Sequence, residues 1–88
     1  MIVSAELSLY ALTDQYEQPV IDFIHLLRAQ PGIEVVTNGL STQAVGEYAA
    51  VMEALKLAME PTLAGTVTCS FVIKILNVGI SPGKEVRV

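Results

Sequence analysis

The chain is short of charge, holds a single cysteine and a single histidine, and has no cluster of basic side chains. Each shortage removes a class of function. Binding a phosphate backbone takes grouped Lys and Arg. Here five Lys and Arg stand against nine Asp and Glu, and Lys84 and Arg87 fall in the last few residues, leaving the body more acidic still. Nucleic acid is therefore not an expected partner, and a cationic or neutral small ligand suits the balance better. Cys69 alone can form neither an internal disulfide nor a multi-cysteine metal site. Set in an apolar, strand-like run, it is expected to be a buried and inert thiol. His25 lies among polar neighbours with no Cys, His or acid four residues on, so no metal is expected. Met1–Glu6 has neither the basic nor the apolar region of a signal peptide, and no run is long enough for a membrane span. The expectation is a cytoplasmic protein.

What is present is largely core-forming. Eighty-eight residues make one domain, near the size where burial is only just sufficient. Hydrophobic residues make up 52% and charged residues only 16%, below the quarter usual in globular chains. A small domain has a large surface to cover, so the shortage of charge predicts that part of it is covered by a second copy. A homodimer or homotetramer is expected. The plainer alternative is a surface rich in Ser, Thr and Ala.

The segment Val35–Tyr48 organises the rest. Two half-apolar extended stretches flank Asn38-Gly39, a strong signal for a reversal between antiparallel strands. Polar side chains crowd around it, and Gly46-Glu47-Tyr48 opens a helix. Upstream, Val3, Ala5, Leu7, Leu9 and Ala11 alternate with Ser4, Glu6, Ser8 and Tyr10, which predicts a strand with one face on a core. Asp14 and Glu17 have capping-box spacing, while Pro19 suits a first helical position, so a short entry turn precedes a helix from about Pro19. Val20, Phe23, Ile24 and Leu27 make its apolar stripe, and Pro31-Gly32 ends it. Ile33–Asn38 and Ser41–Val45 are the next strands. Tyr48 to about Glu60 is the second helix, with Val51, Met52, Leu55, Ala58 and Met59 inward and Pro61 ending or kinking it. Thr66–Leu76 reads as a last strand apolar on both faces, which fits a subunit interface. Residues 1–77 form the domain, and residues 78–88 an irregular tail.

Strand, helix, strand, strand, helix, strand is the α+β, ferredoxin-like βαββαβ order, a four-stranded antiparallel sheet with both helices on one face. That fold hosts enzymes, regulatory ligand-binding domains and nucleic-acid binders alike. No Gly-x-Ser-x-Gly, Cys–His pair or phosphate-cradling loop appears. Leu12–Gln15, after the first strand, lacks the arginine that an acylphosphatase-like activity would want. An enzyme is not expected.

Ser4–Thr13, Pro31–Asn38, Ser41-Thr42 and Gly46-Glu47-Tyr48 to Met52 resemble, in order and spacing, the thiamine-binding, YkoF-like family. The likeness spans about residues 3 to 77. It departs at Ala11, where many relatives carry proline, at Pro61 and in the tail. It implies an oligomeric, non-catalytic domain that holds thiamine or its hydroxymethylpyrimidine half as ligand, without a cofactor. An aminopyrimidine needs hydroxyl or amide groups for its edge and apolar or aromatic walls, and a thiazolium adds a positive charge. The resemblance puts Ser8 and Thr42 first as ligand-binding residues, followed by Asn38, Tyr10 and Glu47. Asn38 is equally explained by the turn it makes, Glu47 by capping and Tyr10 by an interface. The function expected is a carrier, sensor or buffer. The alternative is a regulatory or assembly module that binds an amino acid or a protein partner.

Overall fold

The computed structural model describes residues 1–84, and the last four residues of the tail lie outside the described residues. In chain order come β1 (Ile2–Ala11), α1 (Glu17–Arg28), β2 (Ile33–Thr37), β3 (Thr42–Glu47), α2 (Tyr48–Leu63) and β4 (Cys69–Leu76). The strands make one antiparallel sheet in the order β2-β3-β1-β4, the ferredoxin-like arrangement expected. The long central strand β1 pairs with β3 on one side and with β4 on the other.

The alternation in β1 decides the layers. Val3, Ala5 and Leu7 are buried against Phe23 and Leu27 of α1 and Val51, Ala54, Leu55 and Ala58 of α2. Phe23 also meets Phe71 of β4 edge-on, ring centroids 5.0 Å apart, which ties the outer strand to the first helix. In α2 the buried face differs from the expected one at Met52 and Ala54. Met52 is exposed, and Ala54 joins Val51, Leu55 and Ala58 in the buried face. Pro61 does not end α2; it sits in the last turn, and the helix continues to Leu63. The proposed capping box at Asp14 does not form. The N-cap residue is Tyr16, without a side-chain cap, and α1 starts at Glu17 rather than Pro19. Gly32, with φ 76°, makes the left-handed exit from α1 into β2.

The opposite face of the sheet carries Ser4, Glu6, Ser8 and Tyr10 of β1 and, by register, Val72, Lys74 and Leu76 of β4. No helix covers it. The described part of the tail instead crosses this face from β1 toward β3 and β2. Ser4 Oγ donates to the Val78 carbonyl at 2.6 Å and accepts from the Ile80 amide at 3.0 Å. Farther on, the Gly83 amide donates to Gln43 Oε1 on β3 at 2.8 Å. Ser4 is thereby buried. Within a single chain, β4 is covered on its helix side only. It is a sheet edge, and Val72 and Leu76 are exposed on the helix-free side. Cys69 has the parity of Phe71 and Ile73 but is half-buried, because it sits at the strand's first position. No helix among the described residues is long and apolar enough to cross a membrane.

Candidate functional site

The ladder between β1 and β3 stops early. Its last pair is Leu7 with Thr42, whereas β1 runs on to Ala11 along β4. Two bonds at the strand ends fix which way the backbone groups of β1 point. The Tyr48 amide donates to the Met1 carbonyl at 2.9 Å, and the Leu12 amide donates to the Thr68 carbonyl at 2.9 Å. Odd-numbered residues of β1 therefore present their N–H and C=O toward β3, and even-numbered ones toward β4, as an antiparallel ladder requires. One more hydrogen-bonding rung would set Leu9 opposite Leu40. That rung is missing. Among the described residues, neither the amide nor the carbonyl of Leu9 finds a partner.

The β2–β3 loop explains the gap. Thr37 pairs with Thr42 and the Asn38 amide donates to the Ser41 carbonyl at 3.1 Å, so the four-residue loop Asn38–Ser41 reverses at Gly39-Leu40 rather than in a tight turn on Asn38-Gly39. Asn38 Oδ1 accepts from the amides of Leu40, at 2.9 Å, and Ser41, at 3.2 Å. This is the local side-chain capture by which Asn competes with regular pairing. The Leu40 amide, which would otherwise face β1, is engaged inside the loop. Leu40 itself is 91% exposed.

Around the vacated rung lies a cleft of about 210 Å³. Leu7, Leu9, Val20 and Ile24 supply its apolar side, and Thr37, Thr42 and the loop residues its polar side. Thr42 Oγ1 and Thr37 Oγ1 lie 3.0 Å apart, so one hydroxyl donates to the other and the second O–H stays available. Thr42 is buried at the base. Ser41 Oγ donates to Glu6 Oε2 at 3.2 Å, and Lys74 Nζ stands 3.5 Å from Glu6 Oε1, a polar string from loop to sheet edge.

Of the residues predicted from sequence, Ser8, Tyr10, Asn38 and Thr42 all line this cleft. They reach it differently. Thr42 shares the helix-covered face with Leu7, its partner in register, while Ser8 and Tyr10 leave β1 from the opposite face and border the gap there. Asn38 spends its side-chain oxygen on its own loop, as its turn chemistry suggested. Glu47 is not part of the site. It pairs with Ile2 at the far end of β3, where its Oε2 accepts a 2.8 Å hydrogen bond from the Met1 amino group. Nor does its side chain cap α2, although it is the N-cap residue.

Sequence reasoning missed Thr37, Ser41 and the Leu9 backbone. The signal was the pair of threonines flanking Asn-Gly-Leu-Ser, which meet across a four-residue loop and would be offset across a tighter one. His25 is exposed on α1, away from the cleft, and no group of three His, Cys, Asp or Glu capable of holding a metal occurs among the described residues.

No protein-family model matches the chain, and no curated protein matches it significantly. Solved structures do. A hypothetical protein from Methanocaldococcus jannascii superposes with a TM-score of 0.73 at 23% identity, over 96% of this chain and 84% of that one. A domain of unknown function, DUF77, from Bacillus cereus gives 0.73 at 18% identity, over 93% and 84%. A Thermotoga maritima protein named "putative thiamine biosynthesis/salvage protein" gives 0.67 at 14% identity, over 93% and 91%. The likeness establishes the fold that the chain shares with these proteins.

Proposed function

We propose that the chain is a non-catalytic binding protein for a small, flat nitrogen heterocycle, the hydroxymethylpyrimidine half of thiamine, acting as a carrier, sensor or buffer. The observation that carries this is the cleft left by the missing rung between β1 and β3, where threonine hydroxyls face an apolar wall. Its size favours the single ring over whole thiamine, since about 210 Å³ falls below the ~300–1,000 Å³ typical of pockets for larger ligands. The name of the Thermotoga maritima neighbour agrees with this chemistry, and so does the sequence resemblance. Thr42 and Thr37 offer their hydroxyls to the ring's polar substituents, Val20 and Ile24 cover one flat face, and Ser8 and Tyr10 border the other. No cofactor is required. Displacing Glu47 from the set removes the one carboxylate meant for a thiazolium, a further reason to place the pyrimidine here.

Titration calorimetry tests the proposal. The wild type is expected to bind hydroxymethylpyrimidine more tightly than thiazole analogues. Thr42→Val should weaken binding by about 1–3 kcal/mol, roughly one to two factors of ten. A wild type indifferent to the pyrimidine and to thiamine at high concentration rejects the reading.

The exposed Val72 and Leu76 on the helix-free face favour a second role, self-association to a homodimer or homotetramer. The same surface is what a regulatory or assembly module would offer a protein partner. Light scattering is expected to give a multiple of 9.4 kDa, and a strict monomer at high micromolar concentration removes the assembly.

A further inference from the structure

We propose that the unpaired N–H and C=O of Leu9 are the specificity determinant of the cleft, and that the ligand takes the place of the missing rung. The inference rests on the function proposed above and deepens it, because it states which edge of the ring is read and by which atoms. β1 keeps its extended course past Leu7, held by β4, so the Leu9 amide and carbonyl stay fixed at the spacing of a strand edge. A donor and an acceptor side by side select a partner with an acceptor and a donor side by side. A ring amidine meets that requirement, its exocyclic amino group donating to the Leu9 carbonyl and the adjacent ring nitrogen accepting from the Leu9 amide. A thiazolium has no such edge. The principle is that of strand addition at a sheet edge, with a heterocycle in place of a peptide.

This placement resolves the one awkward feature of the site. The side chains of Thr42 and Ser8 lie on opposite faces of the sheet, so no ligand resting on either face meets both. A ring bonded to Leu9 lies in the plane of the sheet, between the two faces. Leu9, Val20 and Ile24 then cover it from the helix side, and Ser8 and Tyr10 flank it from the other. Asn38 is a positioning residue, since by occupying the Leu40 amide it keeps β3 from closing the rung.

The test is total synthesis of the chain with an ester in place of the amide at Leu9, which removes that N–H and leaves the Ser8 carbonyl, bonded to β4, a weaker acceptor. Hydroxymethylpyrimidine is expected to bind this protein at least about tenfold more weakly than the wild type, with a melting temperature lowered less than by the same change at a paired residue, because that N–H has no partner in the free protein. The same change at Ser8 removes a ladder bond to β4 and should lower the melting temperature. The ligand side gives the converse. Replacing the ring amino group by methyl should weaken binding to the wild type by a similar factor. Should the ester protein not fold, amide hydrogen exchange on the wild type decides. The Leu9 amide is expected to exchange fast when free and at least about tenfold more slowly with the pyrimidine bound. If the pyrimidine binds but the ester, the methyl analogue and Leu9 exchange are all indifferent to it, the edge assignment falls and the binding function stands. If the pyrimidine does not bind at all, both fall.

Discussion

Ser4 and Ser8 leave β1 from the same face, four positions apart, and one is sealed while the other is free. Ser4 is 3% exposed and has both a donor and an acceptor partner in the tail, at Val78 and Ile80. Ser8 is half-buried, borders the cleft, and its hydroxyl has no partner among the described residues. The backbone repeats the contrast. Beside Ser4 the strand is paired on both sides, whereas beyond Leu7 the β3 side of β1 is empty. The lesson is that polarity on a strand does not mark a site. The same residue type serves folding where the chain returns to satisfy it and serves recognition where the chain withdraws.

Exchanging the roles of the two serines is the sharpest way to break this contrast. Ser4→Ala leaves the Val78 carbonyl and the Ile80 amide without their partner in a buried spot. The expected cost is about 1–3 kcal/mol, and each kcal/mol lowers the melting temperature of a domain this size by roughly 4–8 °C. Pyrimidine affinity should move little, because Ser4 itself sits beside Val45, three pairs from the Leu7–Thr42 pair at the cleft. Calorimetric melting and a binding titration read the two effects separately. A Ser4→Ala protein that melts like the wild type means the tail contributes nothing to the fold.

Ser8→Ala should do the reverse, and more gently. A neutral hydrogen bond at the rim contributes about 0.5–1.5 kcal/mol, so affinity should fall roughly two- to tenfold. The melting temperature should stay put, since no bond within the protein is lost and such surface changes usually stay within about 0.5 kcal/mol. Equal affinity in Ser8→Ala and wild type would remove Ser8 from the site and leave the rim to Tyr10.

The sequence made the sheet legible because a two-residue period cannot be confused over the ten residues of β1, and the apolar stripe of α1 shares only one consistent solution with it. Four of the five candidate site residues were found together because they sit near one reversal. Two things could not be read. Glu47 follows the same stretch in sequence, but an extended β3 of six residues carries it to the opposite end of the sheet. The Leu9 edge has no sequence signature, because it is backbone. It comes into being only where one strand outruns another, and that depends on whether Asn38-Gly39 turns in two residues or four.

That choice of turn gives the smallest expected effect and the most direct check on the contrast. A two-residue turn on Asn38-Gly39 would hold both residues at positive φ, and a side chain at Gly39 would strain it by about 1–2 kcal/mol. It would also carry β3 one rung farther and pair Leu9, so the neighbourhood of Ser8 would be as closed as that of Ser4. In the four-residue loop observed, the glycines at positive φ among the described residues are Gly32 and Gly83, not Gly39. A Cβ built on Gly39 meets nothing within 4 Å. Gly39→Ala is therefore expected to be neutral, or to stabilise by up to about 0.4–1 kcal/mol through the lower entropy of the unfolded chain, with pyrimidine affinity kept. The urea midpoint measures the sign. A midpoint shifted down by more than about 1 kcal/mol of stability would mean the turn is tight, the rung is made and the gap beside Ser8 does not exist.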